Sequence, residues 1–233
     1  MDCDQTPLGH LVVAMDGTAG SGKSSTSRGV ATRLGLRYLD TGAMYRAVTL
    51  RMLLDGIAVE NSEQVAARAE TVRLESGTDP QHPTIALDGS DVSTEIRSDP
   101  VTAAVSQVSA VPRVREILRN LQRSVIGDGG IVVEGRDIGT VVAPESGLKI
   151  YLTADAQARA ERRSAEMQVG QNRDVDAVEA DLIRRDAYDS TRPTAPLAAA
   201  NDAVALGTTY LTLGQVIDTV VALAEERVQV TQS

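Results

Sequence analysis

The segment Gly17-Thr18-Ala19-Gly20-Ser21-Gly22-Lys23-Ser24 matches the pattern G-x-x-x-x-G-K-[ST] at every fixed position. An apolar run before it, Leu11-Val12-Val13-Ala14-Met15, reads as a buried strand. The residues after it, from about Lys23 to Leu34, read as a helix that Gly35 closes. This context constrains the fold strongly, because the motif works only at a strand-to-helix turn. Glycines there let backbone N–H groups converge on phosphate oxygens at a helix N-terminus. Gly17, Thr18, Ala19, Gly20, Ser21, Gly22, Lys23, Ser24 and Ser25 are therefore expected to bind a nucleoside triphosphate. Lys23 would reach the outer phosphates, with the Ser24 hydroxyl on the accompanying Mg²⁺.

The rest of the chain alternates strands and helices, with one interruption. Residues 36–40 read as a second strand, followed by a helix through Tyr45, Val48, Leu50, Met52 and Leu53 that halts at Asp55-Gly56. A helical patch near 62–69 comes next, then two short alternating runs, 71–75 and 84–88, around a Gly/Asp/Pro-rich turn. A helix starting at Pro112 and reaching about Ile126 restores the alternation. Further strands are expected at 131–133, 148–152 and 203–206, and further helices at 155–167, 175–188 and 213–228. The expected fold class is α/β, a five-stranded parallel sheet with helices on both faces. Residues 1–10 would be a loose lead-in, 11–56 and 112–233 the core, and 57–111 an insert with a small antiparallel sheet. Ligands in such a sheet bind beyond the carboxyl ends of the strands. Gly17, Asp40, Glu134 and Asp155 all fall there.

Composition narrows the function. Thirty-two acidic against 23 basic side chains leave a net charge of −9, which argues against nonspecific nucleic-acid binding. With no Phe and no Trp, the core must be built from Val, Leu, Ile, Ala and Met. The single cysteine, Cys3, excludes an internal disulfide framework. Without a secretion-signal pattern or an apolar stretch near the ~18 residues of a membrane helix, the reading is a cytoplasmic protein with no membrane partner. A monomer is expected.

Four further clusters carry chemistry. In Asp40-Thr41-Gly42-Ala43-Met44-Tyr45-Arg46, Thr41 is expected to cap a helix and Arg46 to project from its first turns. Taken alone this fits an ordinary capped helix with a solvated arginine, and the alternative is that the two offer a hydroxyl and a guanidinium to a second phosphate. Glu134-Gly135-Arg136-Asp137 follows a buried strand and faces the same crevice. Arg185, Asp189 and Arg192 share a face if their helix persists. Arg159, Arg162 and Arg163 share another. Taken alone, these arginines fit either a solvated charged face or a mobile lid, spanning 157–190 with its flanking helices, that closes over triphosphate and stabilises charge.

In this order, DTGAMYR at 40–46, SQVSAVPRVRE at 106–116, EGRDIGTVV at 134–142 and RRDAYDSTRPTAPL at 184–197 resemble the bacterial cytidylate kinases from about Leu11 to Arg227. Those enzymes are nucleoside monophosphate kinases, and the inserted sheet resembles their enlarged monophosphate-binding domain. The resemblance implies that Thr41, Arg46 and Arg136 hold the monophosphate. It implies that Ser106, Arg115 and Asp137 read the cytosine edge, and that Arg185, Asp189 and Arg192 complete the substrate site. Lys23, Arg136, Arg159 and Arg163 are the expected catalytic residues. The implied reaction takes ATP and CMP, or dCMP, to ADP and CDP or dCDP, with Mg²⁺ bound to ATP. Two alternatives stay open: a kinase of the same fold acting on UMP or a non-nucleotide alcohol, and a nucleotide-dependent switch.

Overall fold

The structure, a computed structural model, describes residues 7–166, 174–192 and 194–231. Residues 1–6 of the expected lead-in, with Cys3, and residues 167–173 of the expected lid lie outside the described residues. Residues 7–10, expected to be loose, instead form a short turn packed against Gly129 and Gly130, where an added Cβ would clash with the His10 and Gly9 carbonyls.

Five strands form a wholly parallel sheet: β1 (Val12–Gly17), β2 (Arg37–Asp40), β6 (Ile131–Glu134), β7 (Leu148–Thr153) and β8 (Val204–Gly207), in the order β2-β6-β1-β7-β8. Alternate residues feed opposite faces, as the two-residue period of a strand requires. Val13, Met15, Tyr38 and Val132 pack with helices α1 (Lys23–Leu34) and α8 (Leu213–Thr231). Ala14, Leu39, Ile131 and Val133 pack on the other face with α2 (Thr41–Leu54) and α5 (Pro112–Ile126). Both faces of the central strands β1 and β6 are therefore dry, which explains why these two read as continuous apolar runs, whereas β7 alternates buried and half-buried residues and β8 half-buried and exposed ones.

Between α2 and α5 lie α3 (Ser62–Ala69), an antiparallel sheet of β3 (Leu74–Ser76), β4 (Ile85–Leu87) and β5 (Ser90–Asp91), and α4 (Asp99–Ala110). The sequence reading did not anticipate α4. Its signal is nonetheless present: Pro100 in the first turn, and buried Val101, Ala104, Val105 and Val108 at helical spacing. Two more helices, α6 (Ala156–Glu166) and α7 (Val175–Thr191), pack on each other beside the glycine loop. No helix among the described residues is long and apolar enough to cross a membrane.

Candidate active site

Because the sheet is parallel, Gly17, Asp40, Glu134 and Thr153 end their strands along one edge, with Asp40 and Met15 both in register with Glu134. The glycine loop leaves β1 there. Gly17 sits at φ 146, and a Cβ on it would fall 2.1 Å from the Leu152 carbonyl oxygen, so only glycine fits. Gly22, at φ 87, caps α1 without a side chain, leaving the first N–H groups of the helix open to an anion.

Lys23 opens α1, is buried, and donates from Nζ to the Thr18 carbonyl at 2.5 Å. Burial, and then the nearby Arg136 charge, push its ammonium well below the usual lysine range. The exposed Ser24 donates its hydroxyl to Glu134 Oε1 at 2.8 Å. Burial, and then Asp40, push the Glu134 carboxyl upward. Its Oε2 is buried and makes no hydrogen bond of good geometry, although the Tyr38 hydroxyl acts on the carboxylate.

The Ser24 hydroxyl beside the Glu134 carboxylate, at the mouth of a phosphate loop, suits Mg²⁺, which takes one or two protein oxygens and fills its shell with water and phosphate. Among the described residues no cluster of three or more His, Cys, Asp or Glu side chains forms a metal cage.

The loop is braced from outside. Asp186 on α7 accepts from the Ala19 N–H at 2.9 Å and pairs with Arg159, whose Nη1 also donates to the Ala19 carbonyl at 2.8 Å. Arg159 is thus held beneath the loop. Arg162 ties α6 to the end of β8 through the Thr208 hydroxyl (3.0 Å) and carbonyl (2.5 Å).

Beyond Lys23, Arg46 from α2, Arg136, Arg163 from α6 and Arg185 from α7 act on one another as like charges. Burial, and then Arg136 and Arg46, push the Arg185 guanidinium well below the usual arginine range, while Asp189 partly opposes them. Burial, and then Arg163, push Arg46 down to about 10. Arg46 is aimed by the Thr102 hydroxyl at 2.9 Å and the Ile96 carbonyl at 3.2 Å. Arg185 Nε is buried without a partner. Guanidiniums gathered so closely are relieved by a multivalent anion.

Next to this cluster runs an alternating chain of charges. Arg115 donates to Asp137 Oδ2 at 2.5 Å and to the Ser109 carbonyl at 3.1 Å, its guanidinium 5.4 Å from the centre of the Tyr45 ring. Arg192 stands 3.9 Å from Asp137 Oδ1 and 3.6 Å from Asp189 Oδ1, and Asp189 pairs in turn with Arg136. Because α7 continues to Thr191, Arg185 and Asp189 share its inner face, with Arg192 at its C-cap. Ser106 is half-buried on α4, and its carbonyl accepts the Ser109 hydroxyl at 3.0 Å.

Thr41 differs from expectation. The cap of α2 is Asp40, which ends β2 in an extended conformation and accepts from the Ala43 N–H at 2.9 Å. The Thr41 hydroxyl instead donates to the Glu134 carbonyl at 2.7 Å, linking the second cluster to the third. Sequence reading assigned nothing to Asp16, Tyr45 or Asp186. Only Asp16 carried a hint, as a charged residue ending a buried strand.

A family model for cytidylate kinase matches residues 13–226. The chain is 54% identical over 223 residues to the cytidylate kinase of Streptomyces griseus subsp. griseus, covering 95% of each chain. It is 56% identical over 217 residues to that of Nocardia farcinica, covering 92% of each. Among solved structures it resembles an uncharacterized protein from Eubacterium ventriosum, with a TM-score of 0.51 and 8% identity, over 93% of this chain and 99% of that one. A likeness at that identity speaks for the fold alone.

Proposed function

The chain belongs to the cytidylate kinase family, and on that premise we propose that it transfers the γ-phosphoryl group of ATP to CMP or dCMP. The observation that carries this reading is a pair of anion sites side by side: the glycine loop with Lys23, and the cluster of Arg46, Arg136, Arg163 and Arg185, joined through Arg136. A switch protein has no use for the second site. A phosphotransferase needs both.

In this reading the loop N–H groups and Lys23 hold the triphosphate, and Arg46, Arg136 and Thr41 hold the acceptor monophosphate. An acceptor oxygen attacks the γ-phosphorus in line. The bond to the β–γ bridging oxygen breaks, and ADP leaves with that electron pair. The acceptor oxygen is already anionic at neutral pH, so no general base is required and charge neutralisation dominates. Mg²⁺, held by Ser24 and the Glu134 carboxylate, would add positive charge on the donor phosphates. Asp137, Arg115 and Ser106 face the base, and Arg185, Asp189 and Arg192 complete the acceptor site.

Residues 57–111 form the acceptor-side insert, and the segment 157–190 the lid with its flanking helices. Arg159 and Arg163 lie on that segment; Arg163 belongs to the phosphate cluster, while Arg159 braces the loop. With ATP and CMP as substrates, the enzyme works in the cytoplasm. The large exposed apolar side chains are spread over α2 (Leu54), α7 (Ile183 and Tyr188), the turn at Tyr210 and α8 (Leu213 and Val230), and our reading is a monomer.

The test is ADP formation from Mg-ATP with CMP, dCMP, UMP, AMP and GMP offered separately. Strong preference for CMP and dCMP is the expected result. Equal rates with every acceptor would leave only a phosphate-loop kinase, and no acceptor-stimulated turnover would favour the switch. In the same assay Lys23→Ala should lower kcat with CMP by about 10²- to 10³-fold, the usual effect of removing one preorganised donor from developing charge. A change smaller than tenfold in folded protein would remove Lys23 from the mechanism.

A further inference from the structure

Asp16 is the last residue but one of β1, directly before Gly17 of the glycine loop, and is only 4% exposed. Both carboxylate oxygens are used: Oδ1 accepts from the Ile138 N–H and Oδ2 from the Gly139 N–H, each at 2.8 Å. These two amides open a short π turn, Ile138–Val142, that directly follows Arg136-Asp137. On the other side of that dipeptide, the Gly135 N–H donates to the Met15 carbonyl at 3.0 Å. Consecutive residues of β1 therefore grip the chain immediately before and immediately after Arg136-Asp137.

Arg123 pins the far end of the turn, donating to the Val141 and Val142 carbonyls at 2.8 Å each. Gly139 leaves room for this grip, since a Cβ there would meet Lys149 Cδ at 3.2 Å and Asp16 Oδ2 at 3.5 Å. Burial pushes the Asp16 carboxyl up to about 6, with Asp137 adding to the rise and its two backbone bonds and the Lys23 charge working the other way. The two N–H groups it accepts favour the ionised form. An ionised carboxylate is the one side-chain form of this size that accepts two N–H donors and offers none.

We propose that Asp16 is a positioning residue for acceptor recognition, whose carboxylate holds the Ile138 and Gly139 amides and thereby fixes Arg136 and Asp137 in place beside the phosphate loop. The inference rests on the reading of Arg136 and Asp137 as acceptor-binding residues. It also gives one residue of β1 a hold on both halves of the site, because the donor loop begins at the next position.

Asp16→Asn tests it. The amide keeps the size but turns an N–H₂ donor toward one of the two backbone N–H groups, so half of the grip is lost. The expected result is a KM for CMP raised by about 10- to 100-fold, the range for one lost charge-assisted hydrogen bond, with the KM for ATP within about twofold of wild type. The preference for CMP over UMP should fall by a similar factor. A purely structural role would lower the active fraction and kcat alike for every acceptor, and would move neither the KM for CMP nor the base preference. Asp16→Ala, which removes both acceptors without adding a donor, should shift both readouts in the same direction and decides the matter if Asp16→Asn does not fold. If wild type prefers CMP and the folded variants keep its KM and preference, the proposal is overturned alone. If wild type shows no preference among acceptors, the functional reading falls and takes this proposal with it.

Discussion

Arg136→Ala should lower kcat/KM for CMP by about 10³- to 10⁵-fold, the range that an arginine on a transferring phosphoryl group supplies. The size of the effect follows from where the guanidinium stands. It acts on Lys23 at the donor loop and on Arg185 in the acceptor cluster, depressing the pKa of both. A group that reaches both anions is placed to stabilise charge as it passes from one to the other, where stabilisation specific to the transition state raises kcat. Removal has a second consequence, because the buried Asp189 loses its pairing with Arg136 and is left with Arg192, at 3.6 Å, and the charge of Arg185. Arg136→Lys separates the two contributions. It leaves a positive charge near Asp189 but not the planar fork, so the fold should hold while most of the rate is still lost. Steady-state kinetics with CMP and Mg-ATP, beside thermal melts of both variants, make the check. A loss below about tenfold in folded Arg136→Ala would show that charge at this position is dispensable.

Local rules carried the sequence a long way toward this geometry. The helix from Lys23 to Leu34 and its Gly35 stop are visible because a helix end is written within a few residues: Gly35 adopts the left-handed conformation, φ 67, that an αL cap requires. The central parallel strands β1 and β6 were visible because both of their faces are dry. What local rules cannot supply is which distant group claims a side chain. Thr41 has the chemistry of a cap, yet its hydroxyl is taken by the carbonyl of Glu134, 93 positions away, and Asp40 caps instead. Arg159 reads as one of three arginines on a helix face, but Asp186 and the Ala19 carbonyl draw it beneath the glycine loop. The grip of Asp16 on Ile138 and Gly139 spans more than 120 positions. The missed helix α4 is a different case: its period was legible, but its β-branched residues and its place between strand-like segments hid it.

Asp137→Ala should abolish most of the discrimination between CMP and UMP, by a factor of up to about 10⁴, as in sites built to pair a polar group on the substrate. Asp137 is 5% exposed, and Arg115 occupies its Oδ2 at 2.5 Å. Among the described residues Oδ1 has only Arg192, at 3.9 Å, beyond hydrogen-bond range, so it can accept a donor from the substrate. The N4 amino group of cytosine is such a donor, while N3 and O2 can accept from Arg115. Uracil puts an oxygen where that amino group would be, so the buried carboxylate would face another acceptor and remain unpaired. Alanine removes the penalty against uracil together with the bond to cytosine, so the two acceptors should converge chiefly through a higher KM for CMP. Asp137→Asn makes a sharper test: its amide can turn N–H₂ toward uracil O4, so UMP should gain relative to CMP beyond what alanine allows. If both variants keep the wild-type ratio of kcat/KM values for CMP and UMP, the base is read elsewhere in the site, and Arg115 with Asp137 serves only to hold α5 against the loop after β6.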